Sequence, residues 1–291
     1  MERMDLKALA KINLGLDVLG IRDDGYHDVK MVMQSIYLYD DVIVEKKEEP
    51  GIELISNLYF LPTDDKNIAY KAAKMLMDEF QVKEGVRITL KKFIPVAAGL
   101  AGGSSNAAAV LYGMNQIFHL GLSQKELMER GVKLGADVPY CIMRGTVLAE
   151  GIGEKLTPLP AMPKCYVLIA KPPISVSTQM VYEELDAKEI AEHPDIEGII
   201  KGLEQNSLDQ IAAAMGNVLE LVTIDKYPVI EDIKNIMKEC GALNAMMSGS
   251  GPTVFGIFRE RAKAKQAQIK IREARLARQV YVTNVHGKRR Q

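Results

Sequence analysis

The stretch Pro95-Val96-Ala97-Ala98-Gly99-Leu100-Ala101-Gly102-Gly103-Ser104-Ser105-Asn106-Ala107-Ala108-Ala109 decides how this chain is read. Upstream of it, Val86, Ile88 and Leu90 alternate with Arg87, Thr89 and Lys91, which predicts a strand over 86–94. Downstream, the alanine-rich run predicts a helix over 105–118. Three glycines and two serines therefore connect a strand to a helix. Glycine lets the backbone approach a ligand closely. A helix start offers unpaired N–H groups and a partial positive charge, which suits phosphate. Ser104 and Ser105 add hydroxyls for phosphate or a metal ion. No Gly-Lys-Ser/Thr follows, and the glycine spacing is not that of a dinucleotide-binding turn. The same residues also fit a small-residue loop with close helix packing, and the loop by itself names no reaction.

Working outward, residues 6–19 alternate with period two. Leu6, Ala8, Ala10, Ile12, Leu14, Leu16 and Val18 form one face, and Lys7, Lys11, Asn13 and Asp17 the other, so Lys11 and Asn13 point the same way. Asp23-Asp24-Gly25 reads as a turn. Strands are expected at 30–38 and 41–46, and a helix over 67–80 with Ile68, Ala72, Leu76 and Phe80 as its core stripe and Asp64 and Asp65 near its start. Ser123 and Glu126 make a capping box for a helix that runs to Gly135. Pro158, Pro160 and Pro163 mark a boundary, which divides the chain into domains 1–160 and 161–291. Beyond it, strands are expected at 165–171, 253–258 and 279–285, and helices at 207–222, 228–240 and 260–277. Mixed strands and helices give an α+β or α/β class.

Composition narrows the function. With 291 residues, 47% hydrophobic and 26% charged, the chain is an ordinary globular protein large enough for two domains. A net charge of −1 supplies no basic field for nucleic acid or anionic membrane. Cys141, Cys165 and Cys240 are odd in number and far apart, which argues against a disulfide framework and fits a reducing cytoplasm. The four histidines lack metal spacing. The first residues show no signal-peptide pattern, and no apolar run approaches the ~20 residues of a membrane span.

Several polar residues are candidates for chemistry. By spacing alone Lys11 reads as a solvated strand position and Asp137, in Leu134-Gly135-Ala136-Asp137-Val138-Pro139, as a turn aspartate. Phosphoryl transfer to an alcohol needs cationic groups near the migrating phosphoryl group and a hydroxyl held in line, tasks that a lysine amine with a partly desolvated aspartate could do. Tyr26 and His27 put an aromatic ring and an imidazole beside a turn, either as plain surface residues or as a platform for a nucleobase. A second glycine cluster, Met247-Ser248-Gly249-Ser250-Gly251-Pro252-Thr253-Val254-Phe255, lacks the spacing of a hydrolase nucleophile elbow. It fits a turn between strands or a loop packed against a phosphate site. The basic end, 286–290, reads as a solvated tail.

Three segments in order, Ala10-Lys11-Ile12-Asn13-Leu14, Pro95 to Ser105 and Met247 to Phe255, resemble the GHMP kinases across nearly the whole chain. Arg22-Asp23-Asp24-Gly25-Tyr26-His27, Gly135-Ala136-Asp137-Val138-Pro139 and Glu150-Gly151-Ile152-Gly153-Glu154 resemble the branch acting on diphosphocytidyl-methylerythritol in the non-mevalonate route to isoprenoid precursors. The resemblance implies an α+β fold with a ribosomal-protein-like N-terminal domain and a C-terminal α/β sandwich. It implies ATP and Mg²⁺ as donor and ion, with Lys11 and Asp137 as the catalytic pair. Pro95, Val96, Ala97, Ala98, Gly99, Leu100, Ala101, Gly102, Gly103, Ser104 and Ser105 would bind ATP, with Mg²⁺ held through the ATP phosphates and Ser105 as a candidate side chain for the ion. Asn13, Tyr26, His27 and Tyr182 would bind a small-molecule substrate carrying a cytidine diphosphate group. A cytoplasmic monomer or homodimer is expected, with no nucleic-acid or membrane partner. Asn106 departs from the family pattern, where aspartate is expected, and removes a carboxylate a metal could use. The competing readings are a homoserine or mevalonate type of kinase, a decarboxylase of the same family, a nucleic-acid-binding module and a nucleotide sensor without turnover.

Overall fold

The computed structural model describes residues 2–186, 188 and 190–287. The elements are β1 (Arg3–Ile21), β2 (His27–Lys47), β3 (Ile52–Ser56), α1 (Ile68–Phe80), β4 (Gly85–Lys91), α2 (Gly102–Ile117), α3 (Gln124–Val132), α4 (Val138–Met143), β5 (Thr146–Gly151) and β6 (Lys155–Pro158). They continue with β7 (Tyr166–Lys171), α5 (Thr178–Leu185), α6 (Ile196–Glu204), α7 (Leu208–Ala214), β8 (Gly216–Asn217), α8 (Glu220–Lys226), α9 (Val229–Glu239), β9 (Asn244–Met247), β10 (Val254–Phe258), α10 (Arg261–Glu273) and β11 (Gln279–Asn284). The chain forms two compact units.

The first unit holds the chain up to Ala10, Leu38–Val96 and Ala101–Arg144. Here β2 pairs antiparallel with β4 from Asp41↔Lys91 to Lys47↔Gly85, and β3 runs parallel to β4. Helix α2 packs on both α1 and α4. Small residues bring α2 close to the sheet: a Cβ on Gly113 would lie 2.8 Å from a methyl of Val44. Ala69, Ala72, Ala73 and Leu76 are the buried stripe of α1.

The second unit holds Lys11–Tyr37, Ala97–Leu100 and the chain from Gly145 onward. Its first sheet pairs β2 with β5 from Val29↔Gly151 to Gln34↔Thr146, β5 with β6, and β1 in parallel with β8 at Gly15↔Gly216 and Leu16↔Asn217. Its second sheet is antiparallel, in the order β11-β7-β10-β9, with α9 and α10 packed on it. Gly15 allows α6 to touch β1, since a Cβ there would lie 2.6 Å from Ile196.

Several expectations are corrected. Residues 30–46 form one continuous strand, because the polar break at Asp40 is buried and fully bonded. The polar face expected of β1 is not solvated: every residue from Ala8 to Val18 is buried. Asn67, rather than Asp64 or Asp65, caps α1 by accepting the Ala69 N–H at 3.0 Å. Helix α2 begins at Gly102, so Gly102, Gly103 and Ser104 form its first turn. The Ser123–Glu126 capping box is present, but α3 ends at Val132, and α4 follows directly. The helix expected over 207–222 is two helices interrupted by β8, since pairing with β1 outweighs local helix preference. Elements β3, α4, β5, β6, α5, α6 and β9 answer to no expectation. Of the basic end, 288–290 lie outside the described residues.

Candidate active site

In the second unit Lys11 is 5% exposed, and its Nζ donates to Asn13 Oδ1 at 2.7 Å. Asn13 is fully buried, with its Nδ2 on Met31 Sδ at 3.4 Å. Both side chains leave β1 on one face, as period two requires. The Lys11 N–H donates to the Leu100 carbonyl at 3.1 Å, which docks the turn 97–100 on β1. That turn is tight, with Ala97 at φ 49° and Gly99 at φ 70°. The Ser248 hydroxyl donates to the Gly99 carbonyl at 3.0 Å. A Cβ on Gly99 would meet the Ser248 carbonyl oxygen at 2.2 Å, so only glycine fits there. A Cβ on Gly249 would lie 3.6 Å from Lys11 Nζ. The amine, the turn 97–100 and the second glycine cluster thus form one assembly. Asn217 fixes that cluster from below, its Nδ2 donating to the carbonyls of Met247 at 3.0 Å and Gly249 at 2.9 Å.

The same unit joins two residues 155 positions apart in the chain, His27 and Tyr182. Their ring centroids are 4.7 Å apart at 39°. His27 Nε2 lies 2.8 Å from Asp186 Oδ1. The turn before His27 closes through Arg22 N–H to Tyr26 O at 2.7 Å, with Gly25 at φ 81°. Tyr26 is 61% exposed and has no aromatic partner among the described residues. Also in this unit, a cleft of about 1020 Å³ lies among residues such as His193, Asn217 and Leu221; none of the sequence-predicted site residues lines it.

In the first unit the N-cap of α2 is Ala101, which is left-handed (φ 54°) and has no side chain able to cap the helix. The first N–H groups of α2 therefore gain no side-chain acceptor from their N-cap. A Cβ on Gly135 would lie 4.0 Å from Ser104 Oγ, so the first turn of α2 lies against the turn that leads to Asp137. Asp137 occupies the N-cap of α4, yet its carboxylate makes no capping bond. Ser105 is 3% exposed.

Beneath this segment is a buried group that sequence reading missed. Asp40 Oδ1 accepts the N–H groups of Phe93 at 2.7 Å and Ile94 at 2.8 Å. Its Oδ2 accepts Asn106 Nδ2 at 2.9 Å and the Lys92 ammonium. Lys92 Nζ also donates to Asn106 Oδ1 at 2.7 Å. Burial pulls the Lys92 ammonium below the ordinary lysine range, against the pull of Asp40. Asn106 thus has its amide engaged on both sides. The signal available in the sequence was Asp40 itself, a carboxylate within a run of strand-forming residues.

Comparison with known proteins gives these features a family. The description "GHMP kinases N terminal domain" matches residues 67–145, and "GHMP kinases C terminal" matches residues 199–275. The chain belongs to the GHMP kinase family. A relative from Lachnospira eligens, named 4-diphosphocytidyl-2-C-methyl-D-erythritol kinase, is 56% identical over 97% of this chain and 98% of its own length. Among solved structures, a 4-(cytidine 5'-diphospho)-2C-methyl-D-erythritol kinase superposes with TM-score 0.84 at 30% identity, covering 98% of this chain and all 100% of the other. A homoserine kinase from Cytophaga hutchinsonii shares the fold, with TM-score 0.80 at 23% identity over 98% of this chain and 95% of the other. The α+β class and the GHMP kinase fold hold, and the chain is a small-molecule kinase that uses ATP as its phosphate donor. No described helix is long and apolar enough to cross a membrane.

Proposed function

We propose that this chain transfers the γ-phosphoryl group of ATP to the 2-hydroxyl of 4-diphosphocytidyl-2-C-methyl-D-erythritol, in the cytoplasm, as a step toward isoprenoid precursors. The observation that supports it most is the buried Lys11–Asn13 pair, with the turn 97–100 and the 248–251 loop built around the amine. An ammonium kept in a nearly dry place acts more strongly on a migrating phosphoryl group than one in water. Lys11 stabilises the moving charge, Asn13 orients the acceptor hydroxyl, and Asp137 takes its proton. The segment 95–105 holds the triphosphate. Tyr26, His27 and Tyr182 take the cytosine, and the His27–Tyr182 contact supports a ring-binding surface at that position.

Mg²⁺ bound with ATP would neutralise charge across the phosphate oxygens. The Ser105 hydroxyl, a hard oxygen at the start of α2, fits such an ion, whereas the amide of Asn106 is engaged by Asp40 and Lys92. The matched family segments fall one in each of the proposed domains, 1–160 and 161–291.

A coupled ADP-release assay with a panel of acceptors tests the proposal. ADP should form with the cytidyl substrate and not with homoserine or mevalonate, and CDP should compete. Carbon dioxide release with ADP would instead mark a decarboxylase. Asp137→Asn should lower kcat by about 10²–10⁴-fold, the worth of a positioned base, while ATP still binds. Near-normal turnover in that variant would remove Asp137 from the mechanism.

A further inference from the structure

The buried group around Asp40 does more than fill the core. Asp40 has no exposed surface, Asn106 is 3% exposed and Lys92 9%. A buried ion pair is a poor way to stabilise a fold, since apolar residues of the same volume often do as well or better. What a carboxylate supplies is four hydrogen bonds in fixed directions, and here they are divided between two chain segments. Oδ1 holds the consecutive N–H groups of Phe93 and Ile94, the last residues before Pro95. Oδ2 holds the amide of Asn106, the residue after Ser105. Lys92 closes the group by donating to both Asp40 and Asn106. From another side, Asn57 grips the peptide of Lys92 twice, accepting its N–H at 2.8 Å and donating to its carbonyl at 3.2 Å.

We propose that Asp40 is a positioning residue for phosphate binding: one buried carboxylate ties the strand end leading into residues 95–105 to the helix turn leading out of them. The proposal rests on the reading of 95–105 as the triphosphate segment. Preorganising such a segment raises affinity because less order is lost on binding. The group also explains Asn106. The amide of Asn106 donates to Asp40 and accepts from Lys92 at once, which an ionised carboxylate in its place would not do. Aspartate at 106 would set a second carboxylate against the first. Space is equally restricted on the helix side, because a Cβ on Gly102 would come within 3.3 Å of Lys92 Nζ.

The test compares Asn106→Ala, which removes only the tie on the helix side, with Asp40→Asn combined with Lys92→Met, which removes both buried charges. Melting temperature, kcat, the KM values for ATP and acceptor, and the affinities for ADP and adenosine are measured for each. The expected result is a KM for ATP raised about ten- to a hundredfold, as for a misplaced binding group. ADP should lose affinity in step, while adenosine binding and the acceptor KM stay within about twofold of wild type. Should the double variant not fold, Asn106→Ala alone decides. Unchanged KM values, with kcat reduced only in proportion to folded protein, would show a purely structural group and overturn the proposal. Gly103→Asp, which places a carboxylate at the start of α2, serves as the separate arm. If it does not weaken ADP relative to adenosine, the phosphate reading of the segment is wrong. If it does and the other two variants do not, the role of Asp40 alone falls.

Discussion

Replacing Gly99 with alanine tests the assembly around Lys11 with one methyl group. The residue sits at φ 70°, where a Cβ costs about 1–2 kcal/mol through contact with its own backbone. The added methyl would also lie 2.2 Å from the Ser248 carbonyl oxygen and 3.2 Å from that of Gly251. Both neighbours are backbone, so relief requires the two loops to move apart, at about 1–3 kcal/mol for an overpacked site. Together this amounts to about 2–5 kcal/mol, or a melting temperature lowered by roughly 4–10 °C in a chain of this size. Gly121 is the internal control. It has φ 73° but nothing within 4 Å of the added Cβ, so Gly121→Ala should show the backbone cost alone, roughly 2–4 °C. Differential scanning fluorimetry separates the two. Activity should separate them further, because the Leu100 carbonyl next to Gly99 holds the Lys11 N–H. Gly99→Ala should lose at least about tenfold in kcat/KM, and Gly121→Ala should keep the wild-type value. Equal melting temperatures and equal rates for the two variants would refute the packing of loop against loop.

Tyr182→Ala removes the ring against His27 and should raise the KM for the cytidyl substrate by about 10- to 100-fold, the worth of one stacked base, with the KM for ATP unchanged; steady-state kinetics in both substrates checks it. Cys165 is buried, and burial pushes its thiol from the ordinary 9.0 up to about 12. The folded chain then keeps a proton that the unfolded chain releases, so stability falls by about 1.4 kcal/mol per pH unit between about pH 9 and 12. Urea denaturation across that range should show this slope, and Cys165→Ala should remove it. Iodoacetamide should leave Cys165 unmodified at pH 8 unless the protein is unfolded.

What could be read in advance followed from local regularity. Alternation along 6–19 placed Lys11 and Asn13 on one strand face, and they are hydrogen-bonded there. The strand–glycine–helix order around Pro95 and the box at Ser123 are likewise properties of neighbouring residues. Family resemblance alone assigned His27 and Tyr182 to one ligand, and their direct ring contact was not anticipated, since no local pattern links positions so far apart in the chain. Asp40 and Lys92 escaped notice because a charged pair in a strand looks like a break or a solvated face until its partners are known. The split of the 207–222 helix escaped for a related reason. Gly216 and Asn217 pair with Gly15 and Leu16, a contact about 200 residues away that no propensity records.

Neither compact unit is a continuous piece of chain, and this bears on how the protein is made. By the time Arg144 has been synthesised, all of the first unit exists. The strand segment Val29–Gln34, however, has its partner Thr146–Gly151 still to come. From Gln34 to Thr146 is 112 residues, the difference of the two positions, or roughly 6–22 s at about 5–20 residues per second. During that interval the edge of β2 stands without its β5 partner, an open template for pairing with other chains, and a chain ending at residue 144 would leave it so permanently.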